Sequence, residues 1–193
     1  MSRRSCAVLL TCLAPVLLAA QFLGPARAQG QWYASGILGT MTEGSWYELV
    51  KPDDLRFADS HMIGAAIGWD RAIGTSRFRF GTEAQLLAHF GRQDHFELSV
   101  PVTLRYVPRR NRRIRSVTAG IGLSYASKIP QVEIDRNGAS QRLFVHWLAE
   151  MEFGRPDPDA SLFFRMHHRS DGYGVFKVDA GSTGYLFGYR RRY

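Results

Sequence analysis

The chain has 193 residues, 25 of them basic and 17 acidic, for a formal charge of +8. With 45% hydrophobic and 22% charged residues it is not a disordered tail, a collagen or a polar low-complexity chain. Its two cysteines cannot build the disulfide framework of a small secreted domain.

The first 28 residues carry the three parts of a secretory signal peptide. Arg3 and Arg4 form a basic n-region, residues 6–20 an apolar run broken only by Thr11 and Pro15, and Ala26-Arg27-Ala28 a small-x-small cleavage site before Gln29. Pro15 and Pro25 argue against a core helix here. Cys12 lacks the small preceding residue of a lipoprotein site. Cleavage after residue 28 removes Arg3, Arg4, Arg27, Cys6 and Cys12. Residues 29–193 are then one exported domain, mildly basic and free of thiols.

No apolar stretch in that domain reaches the 18 or more residues of a membrane helix. Alternation with period two recurs instead, in segments of about ten residues. Two looser strands are expected at 31–40 and 61–70. The third, at 77–90, sets Phe78, Phe80, Thr82, Ala84, Leu86, Ala88 and Phe90 against Arg77, Arg79, Gly81, Glu83, Gln85, Leu87 and His89. The fourth, at 96–106, sets Phe96, Leu98, Val100, Val102, Leu104 and Tyr106 against Glu97, Ser99, Pro101, Thr103 and Arg105. Pro101 costs a ladder bond unless it sits at a bulge. Strands at 117–125, 142–153, 161–170 and 183–193 complete a set of eight.

Long connections follow the first, fifth and seventh strands, and short ones follow the second, fourth and sixth; only the third, near Gly91–Asp94, breaks the rule. Long loops at one end and short turns at the other, joining ten-residue strands, describe an outer-membrane barrel. Tyr185, Phe187, Tyr189 and Tyr193 share one face, interrupted by Arg191. That aromatic end is similar to the terminal signature of such barrels. The fold expected is therefore all-β, an eight-stranded antiparallel outer-membrane β-barrel, with a soluble lipocalin-like barrel as the alternative. Eight strands leave room only for side chains, so the barrel is no porin.

The basic run Arg109, Arg110, Asn111, Arg112 and Arg113 falls in a short turn with no aromatic stacking platform. It reads as a solvated periplasmic turn rather than a nucleic-acid contact. Metal spacing is missing: His167 and His168 point to opposite faces of a strand, and no H-E-x-x-H occurs. A G-x-S-x-G elbow is also absent.

One segment stands apart, residues 164–172, Phe-Arg-Met-His-His-Arg-Ser-Asp-Gly. Leu162, Phe164, Met166, His168 and Ser170 share a face, and Phe163, Arg165, His167 and Arg169 the other. The apolar set must face lipid, so His168 and Ser170 extend the lipid-facing stripe, where a polar pair is costly without a role. His168 lies about 20 Å up the barrel, near the outer edge of the apolar band. A serine with a histidine in reach has its base.

This H-x-S, followed by Asp at the end of the penultimate strand and ahead of a final aromatic strand, resembles the PagL-type lipid A 3-O-deacylase family. The resemblance spans the signal peptide, the eight-strand layout and, most specifically, residues 168–193. It implies that His168 is the general base and Ser170 the nucleophile. The family's oxyanion-holding Asn is replaced by Asp171, which leaves the backbone N–H groups of Asp171 or Gly172 as candidate donors. The position of the family's orienting glutamate falls on Thr183. Asp179 in the last loop is the alternative third member.

The function implied is a serine esterase of the outer membrane that hydrolyses an ester-linked (3-O) acyl chain of lipid A. It needs no metal or organic cofactor and has lipopolysaccharide in the outer membrane as its partner; a homodimer is compatible with it. The rivals are a non-catalytic barrel that binds lipid or supports membrane structure, and a soluble periplasmic lipid-binding barrel.

Overall fold

Lipid offers a strand no hydrogen bonds, so a sheet that crosses it must pair every strand on both edges. The computed structural model, which describes residues 30–44, 46, 47, 53, 55–109, 113–154 and 159–193, meets that condition. Eight antiparallel strands close into a barrel in sequence order: β1 (Gln31–Thr42), β2 (Phe57–Ala72), β3 (Phe78–Gly91), β4 (His95–Tyr106), β5 (Ile114–Ala126), β6 (Leu143–Phe153), β7 (Ala160–Ser170) and β8 (Gly181–Arg192). β8 pairs with β1 from Tyr33↔Arg192 to Met41↔Gly184. The expected signal peptide lies outside the described residues, as do residues 110–112 of the basic run.

The strands occur where the alternation placed them, with two differences. β2 begins at Phe57 rather than near 61, because its first inward residues, Ala58 and Ser60, are too small and mixed to give an amphipathic signal. A short helix, α1 (Gln131–Asn137), stands in the connection between β5 and β6. Seven residues give too few turns for helical periodicity to show. Its punctuation was there to read: Pro130 precedes it, and Gly138 ends it in the left-handed conformation, its N–H donating to Ile134 O at 2.8 Å. Pro101 lies inside β4 and is buried. The β3–β4 pairing lapses opposite it, between Thr82↔Val102 and Gln85↔Ser99, with the register unchanged on either side, as a residue without an N–H allows.

The pattern of burial is inside-out. On β4, Phe96 and Leu98 are 60% and 46% exposed, whereas Glu97 and Ser99 are 1% and 0% exposed. Leu38, Ile63, Ile67, Ile121, Leu162 and Phe187 continue the exposed apolar belt. Aromatics edge it at both ends: Trp32, Phe78 and Tyr189 near the termini, Phe57, Phe90 and Tyr125 near the long loops. Such a surface suits lipid, not water. Among the described residues, no helix is long and apolar enough to cross a membrane.

Inside, opposite charges are matched. Arg165 donates to Glu83 (2.6 Å) and Glu150 (2.5 Å), and Arg190 donates to Glu150 (2.6 Å). Glu152 accepts from Arg105 and Arg192 at 2.6 Å each, and Asp70 accepts from Arg79 and Arg105. These side chains come from β2 to β4 and β6 to β8, so the ion network ties the barrel wall across its own interior. Beside it, Ile37, Met41, Met62, Leu87, Phe163 and Leu186 form an apolar cluster.

The exposed belt predicts that the mature chain stays with membranes after an alkaline wash and migrates faster on unboiled than on boiled gels. Recovery as a soluble protein would overturn the lipid-facing assignment. Replacing Glu150 with Ala strips a carboxylate shared by Arg165 and Arg190, and removing one partner from a buried ion pair costs about 3–5 kcal/mol. Urea titration of the folded band should read that loss as a lowered midpoint.

Candidate active site

The pleat of β7 decides which side chains meet. Ser161, Phe163, Arg165, His167 and Arg169 point into the barrel; Leu162, Phe164, Met166, His168 and Ser170 point outward. Across the sheet, His168 is flanked by Trp147 of β6 and Thr183 of β8, and Ser170 by Val145 and Gly181.

The His168 Nδ1 and Thr183 Oγ1 are 2.9 Å apart. With Nδ1–H donating to the threonine, Nε2 keeps its lone pair free for a proton. The other side of the ring packs on Trp147, centroids 4.9 Å apart and planes tilted by 41°. The imidazole is thus held on both sides. Ser170 Oγ accepts from Gly172 N–H at 3.3 Å. Gly181 keeps its flank open: a Cβ there would lie 3.0 Å from Ser170 Cβ and 2.8 Å from Arg169 O.

The other predicted residues separate. Asp171 N–H donates to Ala180 O (3.1 Å) and its carboxylate accepts from Gly174 N–H (2.6 Å), so Asp171 is committed to the loop 171–180. Of the two oxyanion candidates, Gly172 N–H is the one turned towards Ser170. Gly172 has φ +70°, and a Cβ there would come within 2.4 Å of Val145 Cγ2, so only glycine fits. Asp179 is exposed in the same loop and makes no hydrogen bond to His168 among the described residues. Thr183, not Asp179, is the group in contact with the histidine.

Although they face outward, Thr183 and Tyr185 are buried. The adjoining ends of β1 and β2, with the described part of their connection, show what lies over this face. Trp46 packs edge-on against Trp147 at 5.9 Å. Phe57 meets Tyr185 at 6.4 Å, and Thr42 Oγ1 donates to Thr183 O at 3.2 Å. α1 joins this cover, with Arg136 donating to Gly44 O (2.6 Å) and Arg92 bridging Asp135 and Glu43 at 2.8 Å each.

Two positioning contacts escaped the sequence. His146 Nδ1 donates to His168 O at 3.0 Å, holding the backbone at the base. Arg169 Nε lies 2.8 Å from Glu133 of α1, whose carboxylate also accepts from Ser140 and Ser182. Burial raises the Glu133 carboxyl above its ordinary range, while Arg169 opposes that shift. His146 shares the inward face of its strand with Glu150 and Glu152; nothing local links Glu133 with Arg169. His167 belongs wholly to the lumen, donating through Nε2 to Glu97 Oε1 (3.0 Å) while its Nδ1 accepts from Gln85 Nε2 (3.1 Å).

The outward group brings together an imidazole and two hydroxyls but no set of three metal ligands among the described residues. Sets of buried ligands occur only inside the lumen among the described residues: His89, His95 and Glu97, and Glu97, His146 and His167.

No family model matches the chain. No curated protein matches it either. Among solved structures it is similar to the crystal structure of the outer membrane enzyme PagL, with a TM-score of 0.60 at 17% identity, over 82% of this chain and 98% of that one. It is also similar to the N-terminal β-barrel domain of Pseudomonas aeruginosa OprF, with a TM-score of 0.44 at 11% identity, over 84% of this chain and 99% of that one. The likeness to PagL is one of fold: both chains are outer-membrane-type barrels.

The two orienters proposed for His168 can be separated. Thr183→Val should lower the rate of any reaction that uses His168 as a base, and Asp179→Asn should leave it unchanged. A larger loss in Asp179→Asn than in Thr183→Val would reverse that assignment.

Proposed function

We propose that this protein is an outer-membrane esterase that removes an ester-linked, 3-O acyl chain from lipid A. The observation that carries the reading is the pairing of His168 Nδ1 with Thr183 Oγ1 at 2.9 Å, on the same outward face as Ser170. A base held by a hydrogen bond, two residues from a serine and at the lipid surface, is the equipment of acyl transfer from a lipid ester.

In this mechanism His168 Nε2 takes the Ser170 proton as Oγ attacks the ester carbonyl. Gly172 N–H donates to the oxyanion, in a region already turned towards Ser170 Oγ. The tetrahedral intermediate collapses: the C–O bond to the sugar breaks and His168 returns the proton to the leaving 3-hydroxyl. Water, deprotonated by His168, then attacks the acyl-serine, and the fatty acid leaves as Ser170 regains its proton. Trp147 and Thr183 keep the imidazole in place through both halves. Thr183 can accept from Nδ1–H as a carboxylate would, but its hydroxyl can also donate, and it brings no negative charge to the imidazolium that forms. Binding substrate must bring Ser170 Oγ to His168, since in this structure its hydrogen bond comes from Gly172.

The neutral partner of His168 also favours a second reading, a barrel of the same fold that binds lipid without cleaving it. Lipid A from cells with and without the protein separates the two by mass spectrometry. Loss of one 3-hydroxyacyl unit is expected; an unchanged profile favours the non-catalytic barrel.

For purified, folded variants in detergent with lipid A, Ser170→Ala and His168→Ala should each remove nearly all deacylation. The double variant should be little worse, because residues of one catalytic unit are non-additive. His167→Ala should instead lower stability by about 1–2 kcal/mol, since Glu97 and Gln85 lose a buried partner. Full activity in Ser170→Ala would end the serine mechanism.

A further inference from the structure

The upper lumen holds imidazoles that the proposed chemistry does not use. His89, near the end of β3, and His95, at the start of β4, are direct cross-strand partners. Glu97 lies two residues beyond His95 and so shares its inward face. All three are buried, at 4%, 3% and 1% exposed. The two rings stack with centroids 4.2 Å apart and planes within 12°. One ligand atom from each of the three residues lies within 4.8 Å of the others. In a tetrahedral zinc site with bonds of about 2.1 Å the ligand atoms stand about 3.4 Å apart, so closure requires roughly 1 Å of movement.

The hydrogen bonds around Glu97 single out this group. Oε1 is saturated, accepting from His167 Nε2 (3.0 Å), Ser99 Oγ (3.0 Å) and Ser124 Oγ (2.5 Å). Among the described residues, Oε2 meets only His89 Nε2, at 3.1 Å, and the buried His95 Nε2 has no hydrogen-bond partner. An orphaned imidazole nitrogen beside a half-satisfied buried carboxylate is a pair of donors waiting for a cation.

We propose that His89, His95 and Glu97 bind one divalent transition-metal ion of the zinc class inside the barrel, beneath the β3–β4 turn. Two imidazoles and a carboxylate are a ligand set for such an ion, with water completing the shell. To ligate, His89 moves its proton from Nε2 to Nδ1, and no proton leaves the protein. Gln93 makes that shift easy. Its Nε2 now donates to His89 Nδ1 at 2.9 Å, and a half-turn of the amide presents Oε1 instead, giving up only a 3.4 Å contact from Val132 N–H. The alternative set, Glu97 with His146 and His167, also holds a buried nitrogen without a partner among the described residues, His146 Nε2, but lacks this freedom. There the same half-turn of Gln85 would forfeit the 2.6 Å bond from Arg165 to its Oε1, and the carboxylate oxygen nearest His167 is the saturated one.

The test uses tag-free full-length barrel, stripped with chelator in detergent, loaded with Zn(II) and freed of excess by gel filtration. Metal analysis should find about one ion per folded chain. His95→Ala and Glu97→Gln should lose it, and His146→Ala should keep it. Gln93→Leu, which removes the acceptor for His89, should weaken binding by about 10–100-fold, the usual effect of losing a partner behind a metal ligand. Retention by His95→Ala, or loss in His146→Ala alone, would overturn the assignment. Should those ligand variants fail to fold, Cu(II) bound to the His146→Ala barrel, where the alternative set keeps one imidazole, reports its ligands by electron spin-echo modulation. Two imidazoles support the site; one or none refutes it. None of these readouts depends on the esterase reading.

Discussion

Everything in this molecule depends on a closed ladder whose two faces meet different solvents. Closure removes the edges, and the pleat then sends alternate residues to lipid and to an interior no wider than side chains. A buried arginine in such an interior must find a carboxylate. Arg105, Arg165, Arg190 and Arg192 do, through Asp70, Glu83, Glu150 and Glu152. The network has a directional effect: because its members come from opposite walls, it holds the register against two-residue slips, which the exposed apolar belt alone would leave free.

Register, in turn, places the outward group. His168 faces Thr183 because β7 and β8 pair as His168↔Thr183, and that offset is carried on down to Ala160↔Arg191. Two residues of slip would keep both faces yet set Thr183 opposite Met166 or Ser170. The contact at His168 is therefore held by charges on the other side of the sheet, at Arg165 and Arg190. His146 and Glu133 add local anchors to the same strand, gripping the backbone at residue 168 and the side chain at 169.

The strands were legible because alternation is a property of neighbours in sequence. So was the shared face of His168 and Ser170, and the presence of Thr183 on the face of Tyr185 and Phe187. What was not legible depends on residues brought together from afar. Nothing near Arg169 announces Glu133, and nothing near Trp147 announces Trp46. Asp171 reads as a candidate beside Ser170, yet a turn closed by its own carboxylate takes it away from that role. The histidines of the lumen escaped a search for familiar spacing because a hairpin, not a helix, sets their separation.

The cover over the outer face has a consequence for traffic. With Trp46 against Trp147 and Phe57 against Tyr185, the group around His168 is roofed from the loop end and open along the belt. For the activity proposed, a lipid arrives sideways, by diffusion within its own leaflet, and never passes through water. The quantity that sets its encounter rate is then the mole fraction of that lipid in the membrane, a two-dimensional density. Dilution of the surrounding medium leaves it untouched, whereas dilution with another lipid slows it.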